Sequence, residues 1–440
     1  MQNYFADITT ALRSLLRGDE IFTCSLSAED SDFVRFSRGR VRQAGAVSQR
    51  WLSVDLIEGR RHSSGGVALS GDSEADRAHL AVLVEKLRAQ REYLPDDPYL
   101  LYSTGTAQTE RVGRSELPDG GSAVAAIETE CRGLDLVGIY AAGAIHAGFA
   151  NSFGQQNWYT SHSFNLDWSF FHEADKAVKS GYAGLTWERD AFARKVAGAA
   201  EQLAVLRQPA REIRPGRYRV YLAPSALDEV VGMLGWGGFG LRAHRTKTTP
   251  LLRMIEEGAR LHPMVSIAEN TAGGVTPDFQ EAGFVRPPTL ALIENGAYST
   301  CLVSPRSAVE YSAEPNGASA GESPLSADMA AGTLPTSDVL RQLGSGLFIS
   351  NLHYLNYSDR PACRTTGMTR FATFWVEGGV IQAPVKVMRF DETIYRMLGE
   401  NLVALTAERE MILDPLTYGG RSTRSSRLPG ALVDDFTFTL

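Results

Sequence analysis

The stretch Gly346–Pro384 reads GLFISNLHYLNYSDRPACRTTGMTRFATFWVEGGVIQAP, and its pattern decides the fold class of this chain. Two short apolar runs, Gly346–Ser350 and Phe371–Val376, flank a segment dense in His, Tyr, Asn, Arg and Cys. The second run leads through Gly378-Gly379 into Val380-Ile381 and Pro384. Strand-forming runs on either side of a polar loop predict a rigid sheet that presents a functional surface.

Outward from this stretch, further strands are expected at Tyr218–Leu222, Pro288–Ile293, Tyr298–Val303 and Val380–Val387. Ser225–Leu234 reads as a helix with Ser225 and Asp228 spaced like a capping box, and Asp391–Leu405 as a long final helix. Residues 312–337, rich in Ser, Pro, Gly and Ala, read as a long flexible loop suited to binding or to a lid.

In the first half, Tyr4, Ile8, Leu12 and Leu15 recur at helical spacing, as do Leu80, Leu83, Val84 and Leu87. Phe33–Val41 and Trp51–Ile57 alternate like paired strands, and Gly59-Arg60-Arg61 turns the chain toward Gly65–Leu69. Leu134–Ala141 and Trp158–Phe171 are strands with a turn at Asn151–Gly154 between them, and Phe192–Leu206 carries a continuous apolar helical stripe. The proline-bearing segment 208–216 lacks periodicity and reads as a linker. The expectation is therefore an α+β protein of two domains: residues 1–207, mixed α/β, and residues 217–440, strand-rich with flanking helices.

Composition bounds the function. At 440 residues the chain exceeds what one hydrophobic core usually serves. Its 43% hydrophobic and 22% charged content is that of an ordinary globular protein. A net charge of −7 disfavours nucleic-acid binding, and the basic clusters Arg38–Arg42 and Arg421–Arg427 read as solvated edges or local contacts. The amino-terminal segment lacks a signal-peptide pattern, and no apolar run approaches the ~20 residues that cross a bilayer. A soluble, cytoplasmic protein without membrane association is expected. Cys24, Cys131, Cys301 and Cys363 are scattered, forming neither a disulfide framework nor a zinc knuckle.

Several literal motif matches fail on context. Gly235–Gly240 (GWGGFG) satisfies G-x-G-x-x-G but follows a helix, so it reads as a helix-terminating loop rather than a dinucleotide cradle. Gly317–Gly321 (GASAG) matches a nucleophile elbow but has no strand before it. His172-Glu173 is followed at the next helical turn by Lys176 and Ala177, not by a second histidine, and its aromatic flank suggests a strand. The eight histidines form no pair at metal-ligand spacing.

The order Gly-Leu-x-Ile, polar loop, Thr-Gly-x-x-x-Phe, Glu-Gly-Gly-x-x-x-x-Pro-Val resembles the carboxyl-terminal domain of the TldD/PmbA (TldD/TldE) family. The likeness extends along the chain through Gly39-Arg40-Val41, the Trp51–Ile57 strand with Gly59-Arg60, Asn151-Ser152-x-Gly154, Val220–Pro224, Pro250-Leu251-Leu252, Glu281-Ala282-Gly283, Leu292–Gly296 and Ser307-Ala308. Catalytic members of that family carry H-E-x-x-x-H on the helix after the opening strand, plus a late cysteine, and these hold zinc for peptide hydrolysis. Counted without gaps from Pro224, the three positions fall here on Gly232, Met233 and Gly237. No cysteine follows Cys363 and no histidine follows His353. The chain thus resembles the non-catalytic TldE/PmbA kind. Departures remain: Met368-Thr369-Arg370 stands where Asp-Phe-Ser is usual, and Glu377-Gly378 replaces Glu-Asn.

The resemblance implies a subunit with no catalytic residue, metal site or cofactor of its own. It would pair with a TldD-like catalytic subunit carrying the zinc, or with itself, and would scaffold and select unfolded peptides for a metallopeptidase complex. Candidate peptide or partner contacts are His353, Tyr354, Asn356, Arg364 and Arg370. Two rivals are a homodimeric peptide-binding module and a hydrolase with Cys363 as nucleophile and His353 as base. The latter requires the two side chains within hydrogen-bond reach and a depressed thiol pKa.

Overall fold

A computed structural model describes residues 1–173 and 176–440. The first half begins with α1 (Gln2–Ser14), which buries Phe5, Ile8 and Leu12. The hairpin β1 (Ile21–Ser37) and β2 (Arg40–Glu58) follows, then β3 (Arg61–Ala68). Next come α2 (Ser73–Arg91), β4 (Gln108–Val112), α3 (Gly120–Glu130), β5 (Asp135–Asn151), β6 (Gln156–Glu173), β7 (Lys176–Gly184) and α4 (Arg189–Leu206). Asp72 caps α2 by accepting from the Glu74 and Ala75 N–H groups. The sheet runs β3-β2-β1-β5-β6, and the remaining edge of β6 carries β4 and β7.

The side-chain period of two sorts the faces of this sheet. Phe22, Cys24, Leu26 and Ala28 of β1 join the core under α1 and α2, whereas Val34 and Phe36 join the core under α3 and α4. The opposite face meets the second half, where the Tyr159 hydroxyl donates to the Val275 carbonyl at 2.6 Å and Phe149 packs with Phe279.

The second half opens with β8 (Gly216–Leu222) and α5 (Pro224–Gly235), followed by the short helices α6 (Leu241–Arg245) and α7 (Leu252–Glu256). Then come β9 (Ile267–Glu269), β10 (Leu290–Glu294), β11 (Ala297–Tyr298), α8 (Pro305–Tyr311), β12 (Ser326–Met329) and α9 (Val339–Leu343). The chain closes with β13 (Gly346–Asp359), β14 (Arg364–Glu377), β15 (Val380–Pro384), β16 (Arg389–Thr393), β17 (Leu402–Leu413) and β18 (Ser425–Phe438). Sheet order is β11-β10-β9-β12-β18-β16-β14-β13-β8, and β8 also pairs with β18, so the last five strands form a ring. The apolar face of α5, with Leu227, Val230, Val231 and Leu234, packs in the core of that ring. The architecture is α+β, with a mixed amino-terminal unit and a strand-rich carboxyl-terminal sheet. Among the described residues, no helix is long and apolar enough to cross a membrane.

Several local expectations are corrected. Phe33–Val41 is not one strand: Arg38 and Gly39 turn it at φ +55° and +67°, so Phe36 pairs with Val41 across a hairpin. Trp51–Ile57 pairs instead with Ile21–Ser27. A side chain at Gly39 would also stand 2.7 Å from the Leu134 carbonyl oxygen. Tyr298–Val303 leaves its sheet after Tyr298 and makes only an isolated bridge, Leu302 to Gly240.

Asp391–Leu405 is not a helix. Its start pairs with β14 and Leu402 pairs with Val433, leaving one wide helical turn, Arg396–Glu400, broken at Gly399 (φ −114°, ψ −109°). Ile394, Leu398, Leu402 and Leu405 have helical spacing, but strand partners on both sides override it. Residues 312–337 are built into the sheet through Ser326–Met329, between β9 and β18. Ser225 and Asp228 form no capping box: Ala223 is the N-cap of α5, Pro224 starts the helix, and Asp228 accepts from the Ser426 hydroxyl at 2.6 Å.

Candidate functional site

The site grows from α5 and the β13–β14 hairpin. Gly235–Gly240 ends α5: Gly237 has φ +78°, and a side chain at Gly238 would stand 2.1 Å from the Leu234 carbonyl oxygen. This glycine loop receives the hairpin tip. Arg360 donates to the Trp236 carbonyl at 2.6 Å and the Thr248 carbonyl at 2.7 Å, and the Tyr357 hydroxyl donates to the Met233 carbonyl at 2.5 Å. Helix and hairpin are thereby locked together.

The segment between the two apolar runs is thus no loop. It is paired strand almost throughout, with a tip only at Arg360–Cys363. Three irregularities interrupt the pairing: one near the tip, between Tyr357 and Asp359, and two further back, between Ile349 and Asn351 and between His353 and Asn356. At the latter two points Tyr354 (φ +59°) and Phe371 (φ +61°) adopt left-handed backbone that bulky residues rarely hold. Both rings flank His353, with centroids 6.1 and 6.3 Å away. The Arg370 guanidinium donates to His353 Nε2 at 3.0 Å, and Lys179 of β7 sits 5.9 Å from the Phe371 ring centroid. Partial burial, then the Arg370 and Lys179 cations, hold the His353 imidazole below its ordinary range, so it is the neutral acceptor.

His353, Tyr354 and Arg370 therefore form one cluster. Asn356 and Arg364 do not join it: they lie further toward the tip, where Arg364 pairs with Asp391 of β16 at 3.2 Å and Asn356 accepts from the Tyr357 N–H.

Lys179, which approaches the Phe371 ring beside this cluster, also lines a cleft of about 910 Å³ between β7 and α4 on one wall and β13, β15 and the start of α5 on the other. Lys179, Arg194, Ser350, Asn351 and Glu410 are among its lining residues. Among the described residues, the buried Ser350 hydroxyl and the Asn351 side-chain oxygen have no hydrogen-bond partner. Such groups are costly unless a ligand or water completes them. Mixed charge, apolar wall and open polar groups suit an extended polypeptide. Ser350, Asn351, Lys179 and Phe371 were invisible to motif reading, because the bulges and the packing of β7 that assemble them are non-local.

A second cavity, about 300 Å³, lies along the next turns of α5, lined by Asp228, Gly232, Gly235, Arg424 and Ser426. Burial pushes the Asp228 carboxyl upward despite the Ser426 hydrogen bond. Gly232 is exposed here and has open space above it, whereas Met233 is turned into the core. Gly232 and Gly237 have no side-chain donor, so these positions do not fit a zinc ion. Among the described residues, no group of three or more His, Cys, Asp or Glu is arranged to hold a metal.

The cysteine–histidine pairing does not assemble. Cys363 is buried at the hairpin tip, whereas His353 pairs with Met368 further along. Burial pushes the Cys363 thiol up to about 12, opposite to what a nucleophile requires.

Residues 215–440 match the family model described as PmbA/TldA metallopeptidase C-terminal domain. The chain belongs to the PmbA/TldD family. Solved structures of similar fold include TldE from Thermococcus kodakarensis (12% identity, TM-score 0.79, covering 99% of this chain and 100% of that one). A candidate modulator of a DNA gyrase from Thermotoga maritima is 14% identical, with TM-score 0.77 and coverage of 99% and 100%. Another from Bacteroides thetaiotaomicron is 14% identical, with TM-score 0.75 and coverage of 100% and 99%. At these identities the likeness is one of fold. A search of curated proteins finds no match.

Proposed function

We propose that this chain is a TldE-like, non-catalytic subunit of a peptidase complex, holding extended, unfolded peptide in the β7–β13 cleft while a zinc-bearing TldD-like partner supplies the chemistry. The observation that carries this reading is a juxtaposition. The helix that would hold zinc presents Gly232 and buries Met233, yet beside it opens a 910 Å³ cleft with unpartnered polar groups. Peptide backbone would satisfy the Ser350 hydroxyl and Asn351 oxygen, and the His353–Tyr354–Phe371 cluster would grip a side chain. Asp228, held toward its neutral form, would leave the smaller cavity without added negative charge.

The test mixes the purified chain with a family member carrying H-E-x-x-x-H and follows both complex formation and cleavage of an unfolded polypeptide. Cleavage by the mixture but not by this chain alone is expected. Zinc-dependent cleavage by this chain alone would overturn the reading.

A further inference from the structure

On the face of the first sheet that meets the second half, Ser27 stands opposite Trp51 and Glu29 opposite Gln49. The β17–β18 connection crosses this face at Gly419–Arg421, and a cavity of about 270 Å³ lies between it and the strands. Trp51, Ala68 and Ile145 give the cavity an apolar side, and Glu29 and Gln49 a polar one. The Trp51 indole is half exposed and lies over Gly66, where a side chain would stand 2.5 Å from the ring.

Glu29 is 5% exposed, yet among the described residues it enters no ion pair. Its Oε1 accepts from the Gln49 amide at 2.5 Å. Its Oε2 accepts from the Ser31 hydroxyl at 3.0 Å and the Arg421 backbone N–H at 3.3 Å. All three donors are neutral. The Arg421 guanidinium is spent elsewhere, on the Ser31 hydroxyl, the Gly143 carbonyl, and the carbonyl and hydroxyl of Ser163. Arg50 pairs with Ala28 of the helix-covered face, and its guanidinium binds Ser48 there. Buried carboxylates are ordinarily paired with a cation. Of the roughly four lone-pair sites on a carboxylate, three are filled here, and the vacant one is on Oε1. That oxygen lies under the crossing strand: a side chain at Gly420 would stand 3.6 Å from it, whereas one at Gly419 would meet open space.

We propose that this cavity binds a primary alkylammonium group, its ammonium donating to Glu29 Oε1 and its methylene stem lying against Trp51, Ala68 and Ile145. The charge calls for a cation, because a buried carboxylate with neutral donors only is incompletely compensated. One vacant lone pair suits the point donor of an ammonium rather than the bidentate fork of a guanidinium. The apolar wall beside the carboxylate matches an amphipathic stem with a charged head. At about 270 Å³ the cavity is below the usual range for cofactor pockets, so it takes one side chain or a small amine. The ligand is therefore a lysine side chain of a polypeptide or a free amine of similar length. The site lies by β1–β3, at the other end of the sheet from the β7 wall of the larger cleft. Its occupancy requires neither peptide in that cleft nor a catalytic partner.

NMR of the full chain, labelled with ¹⁵N at its six tryptophan indoles, tests the site, with Trp51→Phe assigning the Trp51 signal. Nα-acetyl-lysine methylamide should shift that signal with a millimolar Kd. The norleucine and arginine counterparts should bind about tenfold more weakly or worse. Butylamine separates the two sources: affinity equal to or above that of the lysine probe assigns the site to a free amine, and lower affinity to a polypeptide lysine. Glu29→Gln should weaken the lysine probe by about tenfold. Ala68→Phe fills the cavity from an exposed β3 position two strands from Glu29, and should abolish binding with an unchanged melting midpoint. A Trp51 signal unmoved by every amine, a norleucine probe that binds as well, or binding indifferent to both substitutions overturns the proposal. Any of these would leave the cleft reading intact, and failure of partner-dependent cleavage would leave this site standing.

Discussion

Arg370 donates to His353 across the β13–β14 hairpin, 3.0 Å from guanidinium to Nε2, and so fixes the imidazole as a neutral acceptor between two strained aromatic residues. A His whose folded pKa is depressed binds fewer protons folded than unfolded. Its contribution to stability is therefore present above the unfolded value and lost as pH falls through it. An NMR titration should place His353 below the ordinary histidine value of 6.5. Arg370→Ala should move it back upward; an unchanged midpoint would show that the cation is not its partner.

The Ser350 hydroxyl is buried without a hydrogen-bond partner among the described residues. Removing an unsatisfied group breaks no hydrogen bond and lifts its desolvation cost. Ser350→Ala should therefore leave stability unchanged or raise it by about 1 kcal/mol, while weakening binding of a fluorescent unfolded peptide several-fold. Loss of stability with unchanged binding would place the hydroxyl outside the peptide's path.

Tyr354 is 79% exposed yet held at φ +59°. Glycine accepts this backbone without the steric cost, so Tyr354→Gly should retain or raise the melting midpoint, by up to about 1 kcal/mol of stability. Peptide affinity should fall, because the ring beside His353 is gone. Calorimetry and the same peptide titration check both halves.

Burial raises the Asp228 carboxyl in the smaller cavity. With the folded pKa above the unfolded one, its contribution to stability is full below the unfolded pKa and lost as pH rises through the folded value. Asparagine mimics the protonated form. Asp228→Asn should thus gain on the wild type as pH rises from acid to neutral, with little difference at low pH. Thermal melts across that range showing the opposite trend would contradict the assigned direction.

Cys363 is buried with its thiol pushed up to about 12. Alkylation of the native protein at neutral pH should spare it while labelling it in denaturant. Rapid native labelling would reopen the cysteine reading.

What was legible in the sequence was local and periodic. Ile8 and Leu12, Leu80 and Val84, and Phe192 to Leu206 gave their helices correctly, because a one-sided stripe has few alternatives in a packed domain. The family pattern in Gly346–Pro384 was legible too. The segment from Asp391 to Leu405 was not, since its apolar spacing suits a helix and only the distant partners Thr366 and Val433 make it strand. Residues 312–337 looked like a free loop because the strands that capture Ser326–Met329 lie about 60 and 100 positions away. For the site, His353 and Arg370 were picked out by residue type, whereas Ser350, Asn351 and Lys179 emerge only once β7 is laid beside β13.

The most direct single measurement is the zinc content of the purified chain, after equilibration with zinc, alongside its cleavage of an unfolded polypeptide. With Gly232 and Gly237 offering no ligand and Met233 in the core, no stoichiometric zinc and no cleavage are expected. One zinc per chain with chelator-sensitive cleavage would contradict the account at its centre.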